Sequence, residues 1–227
     1  MTPACPRCGA LRPDDAPGAC LGCVLGAPPV PAILGDSLEL GDEVLEDDLG
    51  VVYAARDARL GEVRVRFVPA APDVATDAAL QALAALRHPH LAAVHGFGRE
   101  ADEVYIVSEP ARGRPFGLDR PAALLSAALQ ALDALAHAHA RGLAHGALTP
   151  DRVRVGPRGR VKVLDLGVAP LAGRPATPTG DVAALARLLL PLAALHPPVA
   201  TALERATAAD DLRRELAEAR VRLLAPR

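Results

Sequence analysis

The chain has 227 residues, enough for one sizeable core or two small domains, and a formal net charge of −2. No block of like charge appears, so a nucleic-acid or anionic-membrane partner gets no electrostatic support. Hydrophobic residues make up 51% and aromatic residues only 2%, so any core must be built from Leu, Val and Ala with few large anchors.

Met1 to Gly26 lacks the apolar run of an export signal. The longest charge-poor stretch, Leu188 to Leu203, is interrupted by Pro191, Pro197 and Pro198. A spanning helix needs roughly 20 apolar residues, so no membrane segment is expected, and a cytoplasmic location follows. All four Cys fall in the first 23 residues, as Cys5-x-x-Cys8 and Cys20-x-x-Cys23 with eleven residues between the pairs. Two such knuckles bring four thiolates to one tetrahedral site, the pattern of a structural Zn2+ with no open coordination position. Two disulfides are the alternative. A segment this short has almost no core of its own, so the metal would supply its folding energy. Residues 1–26 are thus expected to form a zinc ribbon, and residues 27–36, with Pro28, Pro29 and Pro31, a stiff linker.

Strand character follows over Ser37 to Leu45, Val51 to Asp57 and Glu62 to Val68; Val63-Arg64-Val65-Arg66-Phe67 alternates with period two. Asp73 to Arg87 has helical spacing, with Leu80, Leu83 and Leu86 on one face, and His88-Pro89 stops it. Leu91 to Phe97 and Val104 to Ser108 are expected strands. Ala122 to Arg141 is an expected helix ending at Gly142. Two short strands flank Gly156–Gly159. Asp181 to Leu195 and Pro198 to Leu224 are expected helices, the second amphipathic.

His145-Gly146-Ala147-Leu148-Thr149-Pro150-Asp151-Arg152-Val153, followed by Val161-Lys162-Val163-Leu164-Asp165-Leu166-Gly167, resembles the catalytic loop and metal loop of a protein kinase. Other segments are similar to kinase segments in the same order. Leu49 to Asp57 resembles the strand after the glycine loop, and Leu86 to Leu91 the turn after helix C. Tyr105 to Glu109 resembles the strand entering the hinge, and Ala138 to His145 the end of helix E. Asp181 resembles the buried helix-F Asp that holds the catalytic loop. The knuckles ahead of this region resemble a layout found in bacterial serine/threonine kinases. The resemblance implies an α+β, two-lobed protein kinase-like fold. It would consist of a small lobe at 37–107, a hinge at 108–116 and a truncated large lobe at 117–227, preceded by the zinc ribbon.

It also implies a nucleotide pocket from Val52, Arg64, Arg66, Glu109 and Asp165, and there the chain departs from the family. Ala147 stands at the catalytic Asp, Arg152 at the metal-binding Asn, and Arg66 at the strand-3 Lys, where a planar fork is no geometric match for an ammonium. Arg64 replaces the small residue beside adenine. Ala79 stands at the helix-C Glu; the nearest acid, Asp77, lies about 200° around the helix. Of the glycine loop only Gly50 remains, after Asp47 and Asp48, which form either a phosphate-repelling pair or simply a polar turn. Arg64 and Arg66 are expected to fill the pocket, with Asp47, Asp48 and Asp165 as counter-charges. The Gly167–Asp181 segment is short, and Thr177 and Thr179 within it are phosphoacceptors or part of a plain polar loop. His88, His95, His137, His139, His145 and His196 have no spacing that makes a second metal site.

The expectation is therefore a catalytically inactive kinase-like regulatory or scaffold protein (a pseudokinase), not an enzyme. It would hold structural Zn2+ through Cys5, Cys8, Cys20 and Cys23, with no ATP or Mg2+. Its partners would be proteins, such as an active kinase or its substrate, and neither nucleic acid nor membrane. Two alternatives stand beside it: a weakly active or nucleotide-binding serine/threonine kinase, and a zinc-ribbon nucleic-acid binder.

Overall fold

Asp47 and Asp57 each close a hairpin. In the computed structural model, β1 (Leu38–Asp47) and β2 (Gly50–Asp57) are joined by a turn in which the Leu49 amide donates to Asp47 Oδ1 at 2.9 Å. β2 and β3 (Gly61–Pro69) are joined by a turn in which Asp57 Oδ1 accepts from the Arg59 and Leu60 amides, both at 2.8 Å. Short carboxylates close turns this way because they replace the missing backbone acceptor. Gly50 is required at its place: its φ is +112°, and a Cβ there would lie 1.9 Å from the Phe67 carbonyl oxygen. The structure describes residues 38–69, 74–100, 103–117, 120–205 and 208–224. The four Cys, and with them the expected zinc ribbon and linker, lie outside the described residues.

The chain divides into two units. The first comprises the described residues up to Arg87 together with Ala93–Pro110. It adds α1 (Val74–Ala85), β4 (Val94–Glu100) and β5 (Glu103–Ser108) to the three strands, in an antiparallel sheet of order β1-β2-β3-β5-β4. β3 is central and buried on both faces, which is how a strand carrying two arginines can be internal. Val63 and Val65 pack with Ala55, Tyr105 and Val107 on one face. Register places Val52, Arg66 and Ile106 side by side on the other, and Ala54, Arg64 and Ser108 beside them. Leu80, Leu83 and Leu86 are all buried, as their helical spacing requires.

The second unit comprises His88–Ala92 and the chain from Ala111 on. Its small sheet has the order β6-β7-β8: β6 (Arg114–Pro115), β7 (Val153–Val155) and β8 (Val161–Val163). Its helices are α2 (Pro121–His139), α3 (Val168–Leu171), α4 (Pro178–Ala193), α5 (Pro197–Arg205) and α6 (Ala209–Leu224). α2 buries Leu124, Leu125, Leu132 and Leu135 together with five alanines, whose small side chains let neighbouring helices approach. Among the described residues no helix is long and apolar enough to cross a membrane.

Three differences from the sequence expectations have physical causes. Leu91 is not in β4; it forms a parallel bridge to Val163, with the Ala92 amide donating to the Val163 carbonyl and the Val163 amide to the His90 carbonyl, both at 2.8 Å. Leu91 and Val163 both belong to the second unit, so this apolar segment joins that unit's own sheet. The expected helix Pro198–Leu224 is two helices, because a hairpin buries Val199 and Ala202 of α5 together with Leu212 and Leu216 of α6. β6 and α3 are two and four residues long, too short to leave a periodic signal.

Candidate functional site

The loop from His145 to Arg152 is fastened by Asp181, in the first turn of α4. Asp181 is 1% exposed; its Oδ2 accepts from the His145 amide at 2.7 Å and bonds His139 Nε2 at 2.8 Å, and its Oδ1 accepts from the Gly146 amide at 2.8 Å. Burial alone would raise its carboxyl pKa. The bonds from His139 and the two amides outweigh burial and hold it below the ordinary value. An ionised carboxylate only accepts, so His139 Nε2 is the donor. Gly146 has φ +73°, and a Cβ there would meet the Ala176 methyl at 2.6 Å and the Ala169 methyl at 3.0 Å, so this point of the loop requires glycine.

His145 is wholly buried. Its Nδ1 accepts from the Ala147 amide at 3.2 Å, which assigns the proton to Nε2, donating to the Leu164 carbonyl at 2.8 Å. Burial pushes its pKa down despite Asp181 and Asp165 nearby. The neutral ring thus ties the loop to the residue before Asp165.

Arg152 occupies the middle of this loop. Its Nη1 donates to the Ala147 carbonyl at 2.7 Å, its Nε stands 3.7 Å from Asp165 Oδ2, and its carbonyl accepts from the Leu164 amide at 2.8 Å. Asp165 is 4% exposed at its side chain and has φ +56°. Asp151, the other acid of the loop, is 74% exposed at its side chain and 3.8 Å from Arg154 Nη1. A hard divalent cation takes several oxygen ligands. Here the one carboxylate of the metal loop faces a guanidinium, and no described group of three or more His, Cys, Asp or Glu is arranged to hold a metal. Among the described residues, Asp165 is the carboxylate that the metal loop offers to a cation, and it faces the Arg152 guanidinium.

In the first unit, Val52, Arg64 and Arg66 share one sheet face, as the alternation predicts. Arg66 is 1% exposed and grips Asp47 with both arms of its fork, Nη1 to Oδ1 at 2.7 Å and Nη2 to Oδ2 at 3.0 Å. Of the three counter-charges expected for the arginines, the structure brings Asp47 to Arg66, and Asp48 is exposed. Asp77 is turned to β4, where it pairs with Arg99 at 2.7 Å. Glu109 follows β5, its amide donating to the Ala93 carbonyl at 3.0 Å. Asp165 belongs to the second unit. Sequence reasoning did not single out His139 or Gly146 as partners of Asp181. Spacing carries no trace of a contact that spans 42 residues in one case and 35 in the other.

No protein-family model matches this chain. The serine/threonine-protein kinase PknA of Mycobacterium tuberculosis is 32% identical over 190 residues, which cover 74% of this chain and 44% of that protein. A probable serine/threonine-protein kinase of Streptomyces coelicolor is 33% identical over 184 residues, 71% of this chain and 27% of that protein. The crystal structure of the M. tuberculosis PknI kinase domain is similar with a TM-score of 0.66 at 21% identity, covering 84% of this chain and 97% of that one. That likeness shows the fold: α+β and kinase-like, as expected. The chain has a protein kinase-like fold, is similar in sequence to serine/threonine-protein kinases, and spans less than half the length of the two curated relatives.

One expectation is overturned. The chain does not stand as a non-enzyme on the strength of Ala147, Arg152, Arg66 and Ala79, because the relatives it matches are named as serine/threonine protein kinases. The physical reason lies in the reaction. Phosphoryl transfer draws chiefly on positioning and charge stabilisation, and the loop frame that supplies the positioning is intact here, so the four replacements read from the sequence do not alone establish inactivity.

Proposed function

We propose that this chain is a nucleotide-binding protein of the serine/threonine kinase family whose phosphoryl transfer to protein hydroxyls is slow. The names of the relatives support the substrate class. The observation that carries the reading is the Asp181 carboxylate, which takes the amides of His145 and Gly146 while His145 ties the same loop to Leu164. A positioned loop is the part hardest to replace. A base is missing at Ala147, worth roughly 10²–10⁴-fold, and the metal-binding Asn, the strand-3 Lys and the helix-C Glu are replaced by Arg152, Arg66 and Ala79; transfer is expected to be slower than that of a fully equipped kinase by more than the base alone accounts for. The test pairs thermal melting and calorimetry with ATP, ADP and adenosine with radiolabelled transfer to casein. The expected result is saturable nucleotide binding and a low transfer rate that Asp165→Ala lowers further. Melting and calorimetry that respond to none of the three ligands at millimolar concentration would overturn the reading.

As a separate module, Cys5, Cys8, Cys20 and Cys23 are proposed to hold one structural Zn2+; the paired spacing supports a closed tetrahedral thiolate site. A protein partner, an active kinase or its substrate, completes the proposal. The near-neutral charge favours it over nucleic acid.

A further inference from the structure

We infer that Asp47 is a built-in competitor for phosphate: it occupies the Arg66 guanidinium, and a nucleotide's phosphates gain that guanidinium only by displacing it. The inference rests on the nucleotide-binding reading and adds a device that regulates affinity.

Arg66 sits in the central strand, and its guanidinium makes a two-point fork to Asp47 at 2.7 and 3.0 Å, with a longer contact from Nη1 to the Gly50 carbonyl at 3.4 Å. Two parallel N–H donors meeting two oxygens is equally the geometry of guanidinium on phosphate. A carboxylate in that seat therefore competes with a phosphate oxygen pair for the same donors. Asp47 is fixed there by more than charge. Its Oδ1 also accepts the Leu49 amide at 2.9 Å, Leu49 is fully buried, and Gly50 is held against the Phe67 carbonyl. The turn is thus fastened at Asp47, Leu49 and Gly50. The pair is still reachable, since the Asp47 side chain is 19% exposed against 2% for Arg66. Solvent meets the carboxylate first, and the guanidinium lies behind it. Exposed Asp48 adds a second negative charge beside the seat.

The test is calorimetric titration of the full chain, wild type, Asp47→Asn and Asp48→Asn, with ATP, inorganic tripolyphosphate and adenosine. Asn keeps an oxygen for the Leu49 amide while removing the charge. Asp47→Ser, which also keeps an oxygen, serves if Asp47→Asn fails to fold. Expected are at least about tenfold tighter ATP and tripolyphosphate binding in the Asp47 variant, adenosine affinity unchanged, and a change below about threefold for Asp48→Asn. Equal ATP affinity in wild type and the Asp47 variant overturns the inference and leaves the nucleotide reading standing. Tighter adenosine binding by the same factor overturns it too, since relief would then be steric. Absence of ATP and adenosine binding in every variant overturns both.

Discussion

Arg152 turns back on its own loop, donating Nη1 to the Ala147 carbonyl at 2.7 Å while its Nε stands 3.7 Å from Asp165 Oδ2. A guanidinium thereby bridges the place where the family has its base and the carboxylate of its metal loop. Both side chains are nearly buried, so the pair is shielded from the screening that makes surface pairs weak.

Arg152→Asn tests what that bridge does. Removing the cation leaves Asp165 and the Ala147 carbonyl to find other partners, a cost of about 2–4 kcal/mol by analogy with broken buried pairs. Melting is expected to fall by roughly 5–15 °C. The variant's nucleotide binding should also become responsive to Mg2+, because the Asp165 carboxylate no longer faces a positive charge. A variant that melts with the wild type would show that the bridge contributes nothing to the loop.

Asp181→Ala should be the most damaging single change in the second unit, at about 3–5 kcal/mol, since three donors lose a buried acceptor at once. The charge of Asp181 also predicts an acid limb. Its folded pKa lies below the ordinary value of 3.8, so its stabilisation is complete above about pH 3.8 and is lost as pH falls through the lower folded value. Urea unfolding between pH 5 and 2 checks this: Asp181→Asn should flatten the limb. An identical limb in wild type and Asp181→Asn would assign it to other carboxylates.

How much of this was legible beforehand differs residue by residue. The alternation of Val63 to Phe67 puts Arg64 and Arg66 on one face, and the register bears that out. Asp181 was legible through resemblance as the residue under the loop. The two-point pairing of Asp47 with Arg66 was not. Neighbouring acids in a turn look alike until the turn's hydrogen bonds aim one inward. The Ala147 carbonyl as acceptor for Arg152 was equally hidden, since every residue carries a carbonyl and none advertises which is reached. The α5–α6 hairpin was missed because both halves carry the same helical period.

Zinc provides a test that leaves the kinase-like units aside. Elemental analysis of freshly purified protein should find one Zn2+ per chain, and serine at Cys5 and Cys8 together should abolish it. Chelation should leave the main melting transition within about 2 °C, because a proline-bearing linker of this composition is expected to act as a spacer that uncouples the knuckles from the rest. Stoichiometric metal that survives the double Cys variant would place the ion elsewhere.

The last prediction concerns mild acid and two histidines. Burial pushes His145 below its ordinary value of 6.5. His88 is pushed below it as well, first by burial; Asp133 pulls it up, and the neighbouring His137 and His90 push it down again. Its Nε2 lies 3.4 Å from Asp133 Oδ2, its ring is 4.9 Å from His137 and 5.5 Å from His90, and Arg213 Nη2 shares Asp133 at 3.3 Å. For both histidines the unfolded chain takes up a proton near pH 6.5 that the folded chain takes up only at lower pH. Stability is therefore full above about 6.5 and falls as pH drops toward the folded values, by at most about 1.4 kcal/mol per pH unit for each ring. Urea midpoints at pH 7.5, 6.5 and 5.5 measure the slope. His88→Gln should remove one share of it, and His145→Gln, although less stable throughout, should remove the other. A wild-type midpoint that stays level from pH 7.5 to 5.5 would mean that neither ring is held neutral by the fold.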